Sequence, residues 1–466
     1  MKNYLTKILN NELNIIFTLY LFSRFFFLFI LKIYPDLNVL STSWVIVHPY
    51  FLKNYFLESI LYLNFQPPLF NLLIGLLFKI FNSETLVTFS LHIINIIITI
   101  LILVFFRKIC KIYNLKNKQI IYLSLLIIFN PAIFFYETYV GNYAHYALLA
   151  LILIFYLSKR YFERSEVKYE IYIYLLLLSL IYIWAAFSFI ILIIFFFTNV
   201  TFQIKNKFKI RKSFFIFLIC LIISILPSIK NYYFFKYFSN GSYGLGWHLA
   251  MTTSSIKNDF TLHHACMPFA NDKEQNYEYY KKYNINENNL SVVNKPNQNF
   301  YNAGQLGRIF KMEKCQEDSI KYIRNNFYLW TKSRIKEFFI SHGQLAIDIS
   351  FIVSHPRNFE EYKNILLKIH KNKITKLVKQ SILIGYFLLL YVYFFYFIFF
   401  RNKNKDNYSY CLIFLIYFYI VGIGTIFSNY EGSRFIYAGL IIQLMFWINI
   451  IIDFNSKFKL FNKRYE

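Results

Sequence analysis

The chain alternates long apolar stretches with short basic ones. Apolar runs occupy residues 13–33, 85–106, 119–136, 143–158, 171–198, 213–229, 379–400, 409–427 and 434–453. A helix needs about 20 residues to cross the roughly 30 Å hydrocarbon core of a bilayer, so this pattern predicts a bundle of membrane-spanning helices. The first run is too long for a removed signal peptide and lacks a small-residue cleavage site. One further stretch, "QPPLFNLLIGLLFKIF" at 66–81, opens on two prolines and is short for a crossing.

The polar positions assign sides. Basic blocks at 107–118 ("RKICKIYNLKNK"), 158–168, 205–212, 401–405 and 457–464 fall between apolar runs, and the positive-inside rule puts them on the cytoplasmic side with Lys2 and Lys7. The run 13–33 then carries the chain out, leaving 34–65 outside. Only one crossing fits between there and the basic block at 107, and 85–106 is full length. The stretch 66–81 is therefore expected to lie along the outer interface, as an amphipathic or re-entrant helix started by Pro67 and Pro68.

The same parity requires 171–198 to go out and return, with a break near "IWAAFSF" (183–189). The resulting expectation is an all-α polytopic membrane protein with ten crossings and both termini inside. Its N-terminal transmembrane module is 1–229, with a first outer loop at 34–84. A small, mostly α extracytoplasmic domain follows at 230–376, then C-terminal transmembrane helices and a basic tail at 377–466. Within the outer domain, 271–290 reads as loop. Apolar positions 320, 323, 327 and 330 predict a helix over 318–339. No tandem repeat and no inverted-repeat signature of a secondary transporter is visible.

Composition fits this picture, with 57% hydrophobic and 16% charged residues. The formal net charge of +26 would suit nucleic acid if spread over one face. Here the cations sit in blocks beside apolar runs, which suits anionic lipid instead, so nucleic-acid binding is set aside. The five cysteines form no CxxC. Cys110, Cys220 and Cys411 lie in or beside apolar runs as small fillers. Cys266 and Cys315 share the long outer loop, and whether they pair stays open.

Candidate chemistry gathers at the outer level. Asp36 follows the first span, Glu58 lies in the first outer loop, and Glu137 stands at the outer end of the run 119–136. Lys53, Lys230 and Arg434 are cations at the same height. A carboxylate at headgroup depth costs little to hold, and an arginine opening a span is commonly a snorkelling anchor. Arg24 differs: it lies about 15 Å below the outer boundary, where an ionisable group faces a bundle interior, paired for structure or set there for function. Nucleotide-binding, zinc-protease and nucleophile-elbow motifs are absent. His263 and His264 give only a weak metal hint, and "GSYGLG" (241–246) supplies turns.

The order of these features resembles the GT-C superfamily of polytopic glycosyltransferases, in its protein O-mannosyltransferase, lipid A aminoarabinose transferase and RgtA-like branch. Arg24 inside the first span precedes Asp36 in "KIYPDLN". Then comes "QPPLFNLL" (66–73), similar to the family's outer juxtamembrane (H/K)PPL helix. "NPAIFFYETYVGNYAHYALLA" (130–150), "LPSIKNYYFFKYFSNGSYGLGWHLA" (226–250), "YIRNNFYLWTKSRIKEFF" and "SRFIYAGLI" (433–441) resemble later family segments in the same order. The chain departs at Leu37, where a second acidic residue is frequent, at Gln66, where the family has His or Lys, and at Tyr143, which aligns with an aspartate in the aminoarabinose enzymes.

The resemblance implies a glycosyltransferase that moves a sugar from a polyprenyl-phosphate carrier to a hydroxyl on a lipid, glycan or protein acceptor. Transfer would be inverting and on the extracytoplasmic face, and the host a bacterial inner membrane. Asp36 would be the general base, and Arg434 and Lys230 would hold the donor phosphate. Arg24, Gln66, Glu137, Tyr143 and His145 are cavity or substrate candidates. No cofactor is called for, and a divalent metal stays open. Two other classes compete: an O-antigen ligase or polymerase, and a non-enzymatic transporter or flippase.

Overall fold

The computed structural model describes residues 12–30, 39–43, 46–207, 210–241, 245–257, 291–295, 306–342, 406–427 and 437–462, with isolated positions between them. Every regular element among these residues is helical. Asp36, Arg434, Cys266, His263 and His264 lie outside the described residues, as do most of the runs 271–290 and 379–400.

Helix α1 (Glu12–Phe25) continues into one π-helical turn, Phe26–Ile30. The first loop carries three short helices, α2 (Val39–Thr42), α3 (Pro49–Asn54) and α4 (Phe56–Leu61). Helix α5 (Pro68–Phe81) begins at the proline pair: Pro67 is extended and Pro68 takes the first turn, where its missing N–H costs nothing. It ends where Asn82 turns left-handed at φ 51°. At 14 residues it is about 21 Å long, short of a bilayer core. Phe70, Asn71, Ile74, Leu77 and Phe78 form its buried face, while Leu76, Lys79 and Ile80 are exposed. Gly75 allows this packing: a Cβ there would run into the Phe56 ring of α4. The Asn71 side chain accepts the Val47 N–H at 2.7 Å, tying α5 to the first loop.

Helix α6 (Glu84–Ile112) is the longest element, and Glu84 at its start accepts the Ser41 N–H at 3.0 Å and the Ser41 hydroxyl at 2.6 Å. The run 119–136, read from sequence as one span, is two helices, α7 (Asn117–Ile128) and α8 (Pro131–Thr138), bent by 55°. The cause is Asn130-Pro131. A residue before proline is driven from helical to extended backbone, and the Asn130 side chain then caps α8 by accepting the Ala132 N–H at 2.9 Å.

Helix α9 (Ala144–Arg164) is the hub of the bundle and packs against α6, α8 and α10 (Val167–Ile183). Ala144, Ala147 and Ala150 share one of its faces, and such small residues let neighbouring backbones approach. Helix α11 (Ile190–Lys205) follows α10 after a break at 184–189, where the parity argument puts one. Helix α12 (Arg211–Phe235) closes this half.

Beyond it, α13 (Leu245–Lys257), α14 (Gly307–Asn325) and α15 (Phe327–His342) form a satellite cluster. A Cβ at Gly246 would overlap the Met312 carbonyl, so glycine sets the approach of α13 to α14. Trp330 Nε1 donates to Thr252 Oγ1 at 3.1 Å. The single helix expected over 318–339 is interrupted at Asn326, whose non-helical backbone (φ −132°, ψ 36°) separates α14 from α15. Cys315 is disulfide-bonded. Helices α16 (Asp406–Phe427) and α17 (Leu440–Asn462) pack on α9 and complete the described fold.

Among the described residues, three helices are long and apolar enough to cross a membrane: α1 with its π turn, α6 and α12. The bent α7–α8 pair makes a fourth if counted as one span.

Candidate functional site

Two polar clusters stand out, one deep in the bundle and one around the segment that leads from α4 to α5. The deep cluster is centred on Glu137, in the last turn of α8. Arg24 of α1 reaches it with Nε at 2.9 Å from Oε1 and Nη2 at 2.8 Å from Oε2, the two-pronged geometry that suits a guanidinium and a carboxylate. Both side chains are nearly fully buried. Arg24 Nη1 donates to Ser23 Oγ at 2.9 Å and to the Ile128 carbonyl at 2.8 Å. That carbonyl is free because its usual helical donor, the Ala132 N–H, is spent on Asn130. The guanidinium also lies 4.3 Å from the centre of the Tyr20 ring, a cation–π contact.

The network continues through hydroxyls and imidazole. Thr99 Oγ1 donates to Glu137 Oε2 at 2.8 Å. His145 Nε2 lies 2.9 Å from Thr99 Oγ1 and 3.2 Å from the Asn95 carbonyl, and its Nδ1 lies 2.6 Å from the Tyr437 hydroxyl. With Nε2 carrying the proton, one donor direction runs Tyr437 to His145 to Thr99 to Glu137. His92 Nδ1 and Asn95 Nδ2 bind the Glu137 backbone carbonyl at 2.9 and 3.3 Å. Arg24, Glu137 and His145, read from sequence as cavity candidates, thus engage one another. Glu137 stands in the last turn of α8, at the end of the apolar run 119–136, and its carboxylate meets Arg24 there.

Thr99 and Asn95 are the residues the sequence reading missed in this cluster, on the same face as His92, a mid-span ionisable residue the sequence offers beside Arg24. Their signal was available: polar side chains at 92, 95 and 99 fall on one face of an otherwise apolar helix. Tyr437 carried no such signal, since its partner is 292 residues away.

The second cluster surrounds the non-helical segment 62–66 between α4 and α5. Asn64 Nδ2 and Asn294 Nδ2 both donate to the Gly304 carbonyl, at 2.8 and 3.0 Å, and Asn294 Nδ2 also reaches the Tyr62 carbonyl at 3.2 Å. Lys230, half-buried in the last turns of α12, donates from Nζ to the Leu63 carbonyl. A Cβ at Gly241 would press on the Phe65 carbonyl, so glycine lets that backbone lie against the segment. Glu58 accepts the Ser291 hydroxyl at 2.6 Å on the same side. Within this knot the amide oxygens of Asn64, Gln66 and Asn294 are buried and have no hydrogen-bond partner among the described residues, and the same holds for Asn231, next to Lys230. A buried acceptor without a donor costs about 1–3 kcal/mol, so these oxygens are predisposed to a donor-rich ligand or water. Lys230 was assigned to phosphate from the resemblance. It spends one N–H on Leu63 and has three to give.

Tyr143 and Gln66 do not join the deep cluster. The Tyr143 ring packs 5.8 Å from Phe70 and 5.3 Å from Trp184, bridging α5 to the break after α10. In the first loop, burial pushes the His48 imidazole below its ordinary value, and its Nδ1 accepts the Tyr50 N–H at the start of α3. Among the described residues no group of three or more His, Cys, Asp or Glu side chains is arranged to hold a metal.

No family model, no curated protein and no solved structure matches this chain.

Removing the hydroxyl that links Glu137 to His145 tests the deep network. Thr99→Val should lower unfolding stability by about 1–3 kcal/mol, because two buried groups each lose a partner. Thr99→Ser should stay near wild type. Thermal unfolding in detergent measures both.

Proposed function

We propose that the chain is a membrane glycosyltransferase that moves a sugar from a polyprenyl-phosphate carrier to an acceptor hydroxyl at the outer face of a bacterial inner membrane. The observation that supports this reading best is the acceptor-rich knot at 62–66: buried, unpartnered oxygens of Asn64, Gln66 and Asn294 close to the Lys230 ammonium. A sugar is a ligand rich in O–H donors, and its phosphate linkage wants a cation. The knot supplies both kinds of partner within one short backbone segment. The proline-led helix α5 leaves that segment directly, and its exposed Leu76 and Ile80 suit a face against lipid or a prenyl tail.

In this mechanism the acceptor oxygen forms a bond to the anomeric carbon as the bond from that carbon to the phosphate oxygen breaks. The acceptor proton passes to Asp36, and polyprenyl phosphate departs with the electron pair. A positioned base contributes roughly 10²–10⁴-fold to such a step. Lys230 and Arg434 stabilise the charge gathering on the phosphate. The outward-facing site assumes the ten-crossing topology read from the basic blocks, which puts 34–65 and 230–376 on one side. The deep cluster is not given a catalytic part, because its charged atoms are occupied by one another.

Two measurements with a lipid-linked sugar donor test the proposal. Asp36→Asn should reduce turnover by at least about 100-fold with membrane insertion unchanged, and Arg434→Ala should raise KM for the donor or lower kcat. Full activity in Asp36→Asn removes the base. Gln66→Leu replaces an unpaired buried amide by an apolar side chain of similar size. It should leave the melting temperature unchanged or higher while weakening donor use about tenfold, the worth of one hydrogen bond of about 1.4 kcal/mol. Unaltered donor use would remove the knot from the sugar site.

A further inference from the structure

A third charged feature has no part in either cluster. Where α6 ends and α9 approaches its own end, a cavity of about 520 Å³ opens between the two helices. Its wall holds four cations, Arg107, Lys108, Lys111 and Arg160, with Tyr156 and the carboxylate of Glu163. Two of the cations are anchored: Arg107 Nη2 lies 2.6 Å and Lys111 Nζ 2.9 Å from Glu12 of α1. Arg160 is only loosely held, at 3.7 Å from Glu163, which Lys159 also approaches at 3.5 Å. Among the described residues no carboxylate pairs with Lys108. Its ammonium instead sits 4.5 Å over the Phe105 ring and 5.9 Å from the Tyr156 ring, and the Arg160 guanidinium lies 5.7 Å from the same Tyr156 ring. Four cations against the two carboxylates Glu12 and Glu163 leave the pocket positive.

The surface leading to the cavity is apolar. Ile93, Ile97 and Leu101 are exposed on α6 at four-residue spacing, and Phe105 and Lys108 continue the same stripe. The stripe runs about 22 Å along the helix and ends under the unpaired ammonium. An anion with an apolar tail fits both parts at once: the tail along the stripe, the headgroup in the cavity. The block 107–118 carries five cations between two apolar runs, which by the positive-inside rule puts this end of α6 at the cytoplasmic leaflet, where anionic phospholipid is enriched.

We propose that this cavity is a binding site for the phosphodiester headgroup of an anionic glycerophospholipid from the cytoplasmic leaflet, with Lys108 and Arg160 as its principal ligands and one acyl chain along Ile93, Ile97 and Leu101. The site is independent of the proposed transferase chemistry, because it lies at the opposite end of α6 from the first outer loop, which Glu84 contacts.

The test is native mass spectrometry of the full-length protein in detergent, titrated with short-chain phosphatidylglycerol, phosphatidylcholine or inorganic phosphate. Phosphatidylglycerol should be retained in preference to phosphatidylcholine. Lys108→Ala with Arg160→Ala should erase that preference, at about fivefold in affinity for each cation lost. Lys116→Ala with Lys118→Ala removes equal charge outside the cavity and should leave the preference in place. If the first double variant does not fold, Lys108→Gln, altered at an exposed position, should still lose about fivefold. Equal retention of both lipids, or an equal loss in the Lys116/Lys118 variant, overturns the site. Inorganic phosphate binding as tightly as phosphatidylglycerol would overturn the lipid assignment in favour of a free anion.

Discussion

The fold depends on one buried ion pair, Arg24 with Glu137. A guanidinium within an apolar run is costly to hold away from water, and a lone carboxylate beside it is no cheaper. Together, with a forked geometry and further hydrogen bonds to the remaining donors, they become tolerable. The pairing needs the bend at Asn130-Pro131, because only a broken helix turns Glu137 toward α1. The bend in turn leaves the Ile128 carbonyl without its helical donor, and Arg24 takes it. Bend and ion pair therefore depend on each other.

From that carboxylate the constraint spreads along the chain. Thr99 brings in α6, His145 brings in α9, and Tyr437 brings in the approach to α17, so parts of the chain from both ends are tied to one side chain. Such a network rigidifies the bundle interior, although the Asn95 side-chain oxygen and the Tyr20 hydroxyl within it have no hydrogen-bond partner among the described residues. The knot at 62–66 holds three such groups. Its Leu63 and Tyr62 carbonyls are held by Lys230 and Asn294, but its side-chain oxygens are left wanting donors. Three buried amide oxygens without donors, together with the Lys230 ammonium on the Leu63 carbonyl, are the reason the proposed sugar site is placed at the knot.

Much of this was legible in the residue pattern, for local reasons. The proline pair announced the start of α5, and its shortness set it apart from the full-length α6. Parity of the basic blocks located the break between α10 and α11. Arg24 was recognisable as a residue that must face the interior. What could not be read was its partner: Glu137 is 113 residues away, beyond a bend hidden inside an unbroken apolar run. Asn130 before proline was the overlooked sign. Likewise, the helical spacing over 318–339 persists across the interruption at Asn326, because apolar periodicity does not register a single non-helical residue. Asn294 and Gly304 joined the 62–66 segment only through tertiary contacts more than 200 residues apart in sequence.

The most direct test of the ion pair as the organising constraint is a double-mutant cycle on unfolding free energy, using Arg24→Met, Glu137→Leu and the combination. Each single change strands a buried charge and should cost about 3–5 kcal/mol, while the double change should cost far less than the sum, and less than either single. Additive costs, or single variants as stable as wild type, would contradict the account, since the two side chains would then not be acting as one unit.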